Sequence, residues 1–142
     1  MGLLPTQGQP FYPYTRLIIM QYLPPQGFVE VQPSQLQQTI DTSDKPVLVL
    51  FSRSTCSACG IFEPTIVQVR KHLADKVHAV FVNTGIDPSI RATFNIAGDP
   101  TTSVYAGGIL AGSIIGAMNL DYFWRQFEPI AAVCKDRGMP VF

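Results

Sequence analysis

The stretch FSRSTCSACG, residues Phe51 to Gly60, places Cys56 and Cys59 three positions apart, between an apolar run and a helical pattern. Upstream, KPVLVLFS (45–52) is apolar almost throughout and of strand length, as expected of a strand buried on both faces inside a sheet. Downstream, CSACGIFEPTIVQVRKHLADK (56–76) carries Ile61, Phe62, Ile66, Val67, Val69 and Leu73 as a helical stripe, with Pro64 predicted to kink it. The cysteines thus fall where a strand ends and a helix starts, the end at which open α/β sheets hold their working groups. Taken alone, the pair fits a redox couple, half of a metal site, or a remnant in a binding module.

Working outward, GFVEVQ (27–32) alternates as a half-buried strand, and Ser34 is expected to cap a helix over QLQQTI. VHAVFVNT (77–84) reads as another buried strand, and DPSIRATFN (87–95) as a short helix capped by Asp87 with Pro88 at its first position. Residues 97–106 and 109–117 read as paired strands, and 119–138 as a final helix interrupted by Pro129. The segment from Pro100 to Leu120 has no charged residue and approaches bilayer length, but Gly107 and Gly108 break it, so a buried hairpin is expected in place of a membrane span. The order of elements predicts an α/β domain whose sheet is antiparallel at one side.

At 142 residues the chain suits one domain plus an extension. Residues 1–27 hold Pro5, Pro10, Pro13, Pro24 and Pro25 and read as a Pro- and aromatic-rich arm, within which RLIIMQYL alone has strand character. Phe11, Tyr12 and Tyr14 could order this arm on the domain or dock a partner protein; the other reading is an unstructured leader. Residues 28–142 form the domain. Ten basic and ten acidic residues balance, which argues against nucleic acid as a partner. Three cysteines are too few for a disulfide-stapled secreted scaffold, and the proline-broken N-terminus, with no positive charge before Arg16, lacks the features of a signal peptide. A cytoplasmic, reducing location is expected.

The cysteine pair, together with three further positions, resembles the thioredoxin family over about Gly27 to Ala132. Pro64 falls where the family's active-site helix carries a proline, GDPT (98–101) is similar to its cis-proline turn, and Gly116 matches a glycine at the end of the last strand. Pro100 lies 44 residues beyond Cys56, a family-like spacing. The resemblance implies a thioredoxin-like three-layer sandwich, a central mixed β-sheet flanked by helices. It also implies a thiol–disulfide oxidoreductase acting on protein disulfides or thiols and recycled by a reductase or dithiol. Cys56 would be the nucleophile and Cys59 the resolving thiol. Thr55, Asp99, Pro100 and Thr101 would line the substrate groove, with Arg53, Ser57 and Ala58 tuning the thiolate.

The chemistry has a physical basis. Thiolate is the attacking species, and a free thiol with pKa near ~8.5 is mostly protonated at neutral pH. A helix N-terminus offers unpaired N–H groups and a positive dipole end that favour the anion. One turn brings Cys59 within reach of a mixed disulfide on Cys56. A cis Pro100 would leave backbone groups beside it free to pair with an extended peptide. No cofactor is expected, and no metal, since a closed zinc site needs four ligands and there is neither a second such cysteine pair nor a close histidine pair.

The chain departs from the family where a buried aspartate, its lysine companion and a tryptophan are usual: Leu50, Phe81 and Thr55 stand there. Asp99 replaces an apolar residue and reads as a proton acceptor, as a group repelling acidic peptides, or as a solvated turn residue. Ser57 is a candidate donor to Cys56, His72 and His78 read as surface or capping groups, and Cys134 reads as a core thiol. These departures motivate an alternative function, a thioredoxin-fold interaction module with weak or lost redox activity.

Overall fold

The computed structural model describes residues 22–142. The expected strand in RLIIMQYL and the aromatic residues Phe11, Tyr12 and Tyr14 fall wholly or mostly outside them. Five strands form one sheet in the order β1-β3-β2-β4-β5. They are β1 (Val29–Glu30), β2 (Val47–Ser52), β3 (His78–Asn83), β4 (Thr101–Ala106) and β5 (Ile109–Ile115). β1 and β2 run parallel to β3, while β4 runs antiparallel to both β2 and β5.

The helices are α1 (Leu36–Thr42), α2 (Ser57–Leu73), α3 (Ile90–Thr93) and α4 (Leu120–Asp136). Because side chains alternate along a strand, β2 feeds two cores. Leu48 and Leu50 pack in one layer with Phe62, Ile66 and Val69 of α2 and Phe123, Phe127 and Ile130 of α4. Val47, Val49 and Phe51 pack in the other with Leu36 and Ile40 of α1 and Ile90 of α3. All six residues of β2 are buried, which accounts for the unbroken apolar run.

Four local expectations are corrected. Ser34 lies inside a 3-10 turn, Pro33–Gln35, and α1 starts without a side-chain cap, since the fixed φ of Pro33 starts the helical backbone a residue early. Asp87 accepts from the Ser89 N–H at 3.1 Å, but this bond closes a turn and regular helix begins only at Ile90. α4 continues through Pro129, as α2 does through Pro64; both prolines face solvent, where water can satisfy the carbonyl one turn back. The hairpin is buried on one strand only. β4 is buried throughout, whereas β5 is an edge strand exposing Ile109, Leu110 and Ile115.

Arg137, just past α4, closes this edge by donating to the carbonyl oxygens of Ala106 (3.0 Å), Ile109 (2.7 Å) and Leu110 (3.3 Å). α4 sits on β5 closely enough that a Cβ at Gly112 would stand 2.6 Å from Ile130 Cγ1. Replacing Gly112 by Val is therefore expected to lower the unfolding free energy by about 1–3 kcal/mol through overpacking, read as a lower urea midpoint; an unchanged midpoint would contradict the packing.

Burial also holds protons. It pushes the Cys134 thiol and the Tyr105 phenol above their ordinary values. Folded protein then keeps these protons to a higher pH than unfolded chain does, so their contribution is complete below the unfolded values. It is lost as pH rises from there through the folded ones. Urea midpoints are expected to fall above about pH 9, and Tyr105→Phe is expected to flatten the decline.

Candidate active site

β2 ends at Ser52, and the chain turns through Arg53 to Thr55 before α2 begins. Cys56 is the residue capping α2: its backbone is extended and its Sγ accepts the Cys59 N–H at 3.1 Å. This is the anion-favouring hydrogen bond that a helix N-terminus supplies. It comes from Cys59, not from Ser57, whose hydroxyl has no partner among the described residues. Ser57 is exposed and Ala58 half-buried on the first turn.

Cys56 and Cys59 are joined in a disulfide, with Cα atoms 5.3 Å apart. Their environments differ in exposure. Cys59 is 6% exposed, whereas Cys56 is partly open to solvent. Cys134 is fully buried in α4 and unbridged.

The antiparallel pairing of β2 with β4 sets Phe51 opposite Thr101, so the turn before β4 arrives beside the cysteine turn. The Asp99–Pro100 peptide bond is cis. The Asp99 carbonyl oxygen lies 3.6 Å from Cys56 Sγ. Thr101 turns its hydroxyl back to the Gly98 carbonyl at 2.6 Å. Gly116, with φ of 96°, donates its N–H to the Pro100 carbonyl at 2.8 Å and so ties the end of β5 to the same turn.

Asp99 is not a solvated turn residue. Its side chain is 2% exposed, and Oδ2 accepts from Arg53 Nε at 2.6 Å and from Arg91 Nη2. Arg53 also donates to the Thr55 hydroxyl at 2.6 Å, so the network joins the cysteine turn (Arg53, Thr55) to the segment holding Arg91 and Asp99. Asp99 Oδ1 is buried with no hydrogen-bond partner among the described residues. Arg91, from α3, was invisible to spacing arguments; the only hint was an uncompensated Asp at the turn.

Beneath the pair, Leu50 and Phe81 sit side by side in the β2–β3 register, both buried. Tyr22, from the segment read as arm, stacks edge-on to Phe81 with ring centroids 5.5 Å apart, and its hydroxyl is 2.6 Å from Ser52 Oγ. Burial raises the Tyr22 phenol, the Ser52 hydrogen bond opposes this, and the Glu63 and Asp99 charges add to it. This part of the sheet is thus built from apolar side chains and a hydroxyl pair. Tyr22 was missed because a tyrosine in a Pro-rich leader carries no periodic signal.

The thioredoxin family model matches residues 27–128. The chain is 29% identical to thioredoxin 1 of Nostoc sp. over 89 residues, covering 63% of this chain and 83% of that one. It is 34% identical to the chloroplastic thioredoxin M4 of Arabidopsis thaliana over 95 residues, covering 67% of this chain and 49% of that protein's length. In fold it is similar to oxidized mitochondrial thioredoxin 3 of Saccharomyces cerevisiae, with a TM-score of 0.61 at 20% identity over 71% of this chain and 93% of that one. A disulfide at the cap of α2, a cis-proline turn packed against it and a family match across the whole sheet converge: the chain belongs to the thioredoxin family of disulfide oxidoreductases.

Proposed function

We propose that the protein reduces disulfides in protein substrates, with Cys56 as nucleophile and Cys59 as resolving thiol. The observation that carries this reading is the asymmetry of the bridge at the α2 cap: one sulfur is reachable and receives an N–H, while the other is buried a turn deeper. The Cys56 thiolate attacks a substrate disulfide, forming a mixed disulfide and releasing one substrate thiolate, which takes up a proton. Cys59, after giving up its proton, attacks Cys56 Sγ and expels the second substrate thiolate. Two electrons pass to the substrate and the Cys56–Cys59 bridge remains. An external dithiol or reductase returns the pair to the reduced state, which suits a reducing compartment.

Thr55, Asp99, Pro100 and Thr101 are proposed to border the bound peptide, and Arg53, Ser57 and Ala58 to set the field at the thiolate. The closeness of the Asp99 carbonyl to Cys56 supports this arrangement. A second reading, an interaction module with weak turnover, is favoured by one observation: Leu50 and Phe81 supply no group to take the Cys59 proton.

Dithiol-driven insulin reduction is expected to be abolished in Cys56→Ser. Cys59→Ser should accumulate a mixed disulfide visible by non-reducing mass spectrometry; insulin reduction retained in Cys56→Ser, or no trapped mixed disulfide in Cys59→Ser, would overturn the assignment of roles. In the reduced protein, Cys56 is expected to react with iodoacetamide at pH 7 several-fold faster than cysteine in an unstructured peptide, with Cys134 unmodified. A Cys56 no faster than the peptide would move the weight to the interaction module.

A further inference from the structure

We propose that Arg53 and Arg91, anchored by the buried Asp99 carboxylate beside Cys56, form a cationic rim that selects disulfides carrying a carboxylate next to the reactive sulfur. This rests on the oxidoreductase reading of Cys56 and names its substrate class. An aspartate before Pro100 reads in the sequence as a repeller of acidic peptides; its placement inverts that sign.

The inversion follows from which charges reach water. The Asp99 side chain is 2% exposed, whereas those of Arg53 and Arg91 are 40% and 32% exposed. The negative charge points inward and both positive charges face out, so the three groups sum to one positive charge. The Asp99 backbone carbonyl is 3.6 Å from Cys56 Sγ, so the residue that anchors both arginines adjoins the nucleophile.

Donor capacity remains as well. Among the described residues Arg53 donates through Nε and Nη1, and Arg91 through Nη2 alone. The other guanidinium N–H groups have no acceptor within those residues, and a planar guanidinium suits a carboxylate's two oxygens. Because Asp99 already orders both arginines, a docking carboxylate has less side-chain freedom to remove from them.

The test compares reduced wild-type protein on capped peptide disulfides that differ only in the residues flanking the cystine: Glu, Gln or Lys, with a fourth peptide bearing a free C-terminal carboxylate next to cysteine. Expected is a kcat/KM about fivefold higher for Glu than for Gln at 20 mM salt, lower still for Lys, and a ratio approaching one at 0.5 M salt. The fourth peptide separates sources: a gain there as large as with Glu assigns the rim to any carboxylate, and a gain with Glu alone assigns it to side chains; both support it.

Arg91→Gln should collapse the Glu-to-Gln ratio, and Arg91→Lys should retain much of it. Equal rates on all four peptides at low salt, or a preference for Lys, would overturn the proposal while leaving the oxidoreductase reading intact. No reduction of any peptide would overturn both. The wild-type ratio and its salt dependence decide the matter even if a variant fails to fold.

Discussion

Burial of β2 on both faces is the constraint from which the site follows. Six consecutive buried residues, paired in parallel with β3 on one side and antiparallel with β4 on the other, leave the strand no alternative register that keeps its side chains dry. Its carboxyl end is therefore fixed, and with it the turn that presents Cys56. The antiparallel partner runs the opposite way, so the start of β4 meets the end of β2 and delivers Asp99 and Pro100 to the cysteines. Chemistry here is a by-product of strand direction: two turns far apart in the chain meet because their strands are neighbours.

Electrostatics around the nucleophile is arranged in two tiers. At the surface, Cys56 Sγ accepts a cap N–H, and the adjoining turn carries two arginines paired with one aspartate. Further into the sheet, Leu50 and Phe81 are apolar neighbours, and the Tyr22–Ser52 hydroxyl pair is the polar contact beside Phe81. Buried polar groups that remain unpaired are rare, and two of them, Asp99 Oδ1 and Thr102 Oγ1, lie on the strand and turn that adjoin the bridge. The site is thus charged at its mouth and apolar at its base.

Legibility in the sequence tracked how far each signal travels along the chain. The unbroken run 45–52 and the stripe of α2 are local and periodic, and both elements formed as expected. The cysteine pair, Pro100 and Gly116 were legible because a known pattern links them; the Gly116 N–H to Pro100 carbonyl bond shows the physical tie behind two of those positions. β1 contracted to Val29–Glu30 although its alternation continues to Gln32, because the helical backbone set by Pro33 follows so soon. β5 looked as apolar as β4, and only the strand order reveals that one is interior and the other an edge. The Arg53–Asp99–Arg91 cluster spans two loops and a four-residue helix with no periodicity to connect them, so composition recorded the charges without their partnership.

Arg137 bears on how many copies of the chain can share a tube. An edge strand bearing Ile109, Leu110 and Ile115 is the kind of surface on which a second sheet can grow. The guanidinium that already engages the carbonyls of Ile109 and Leu110 would have to be stripped away, or enclosed as a bare cation, before another strand could pair there. A positive charge just past the last helix thereby raises the cost of strand addition at the Ile109–Leu110 end of that edge.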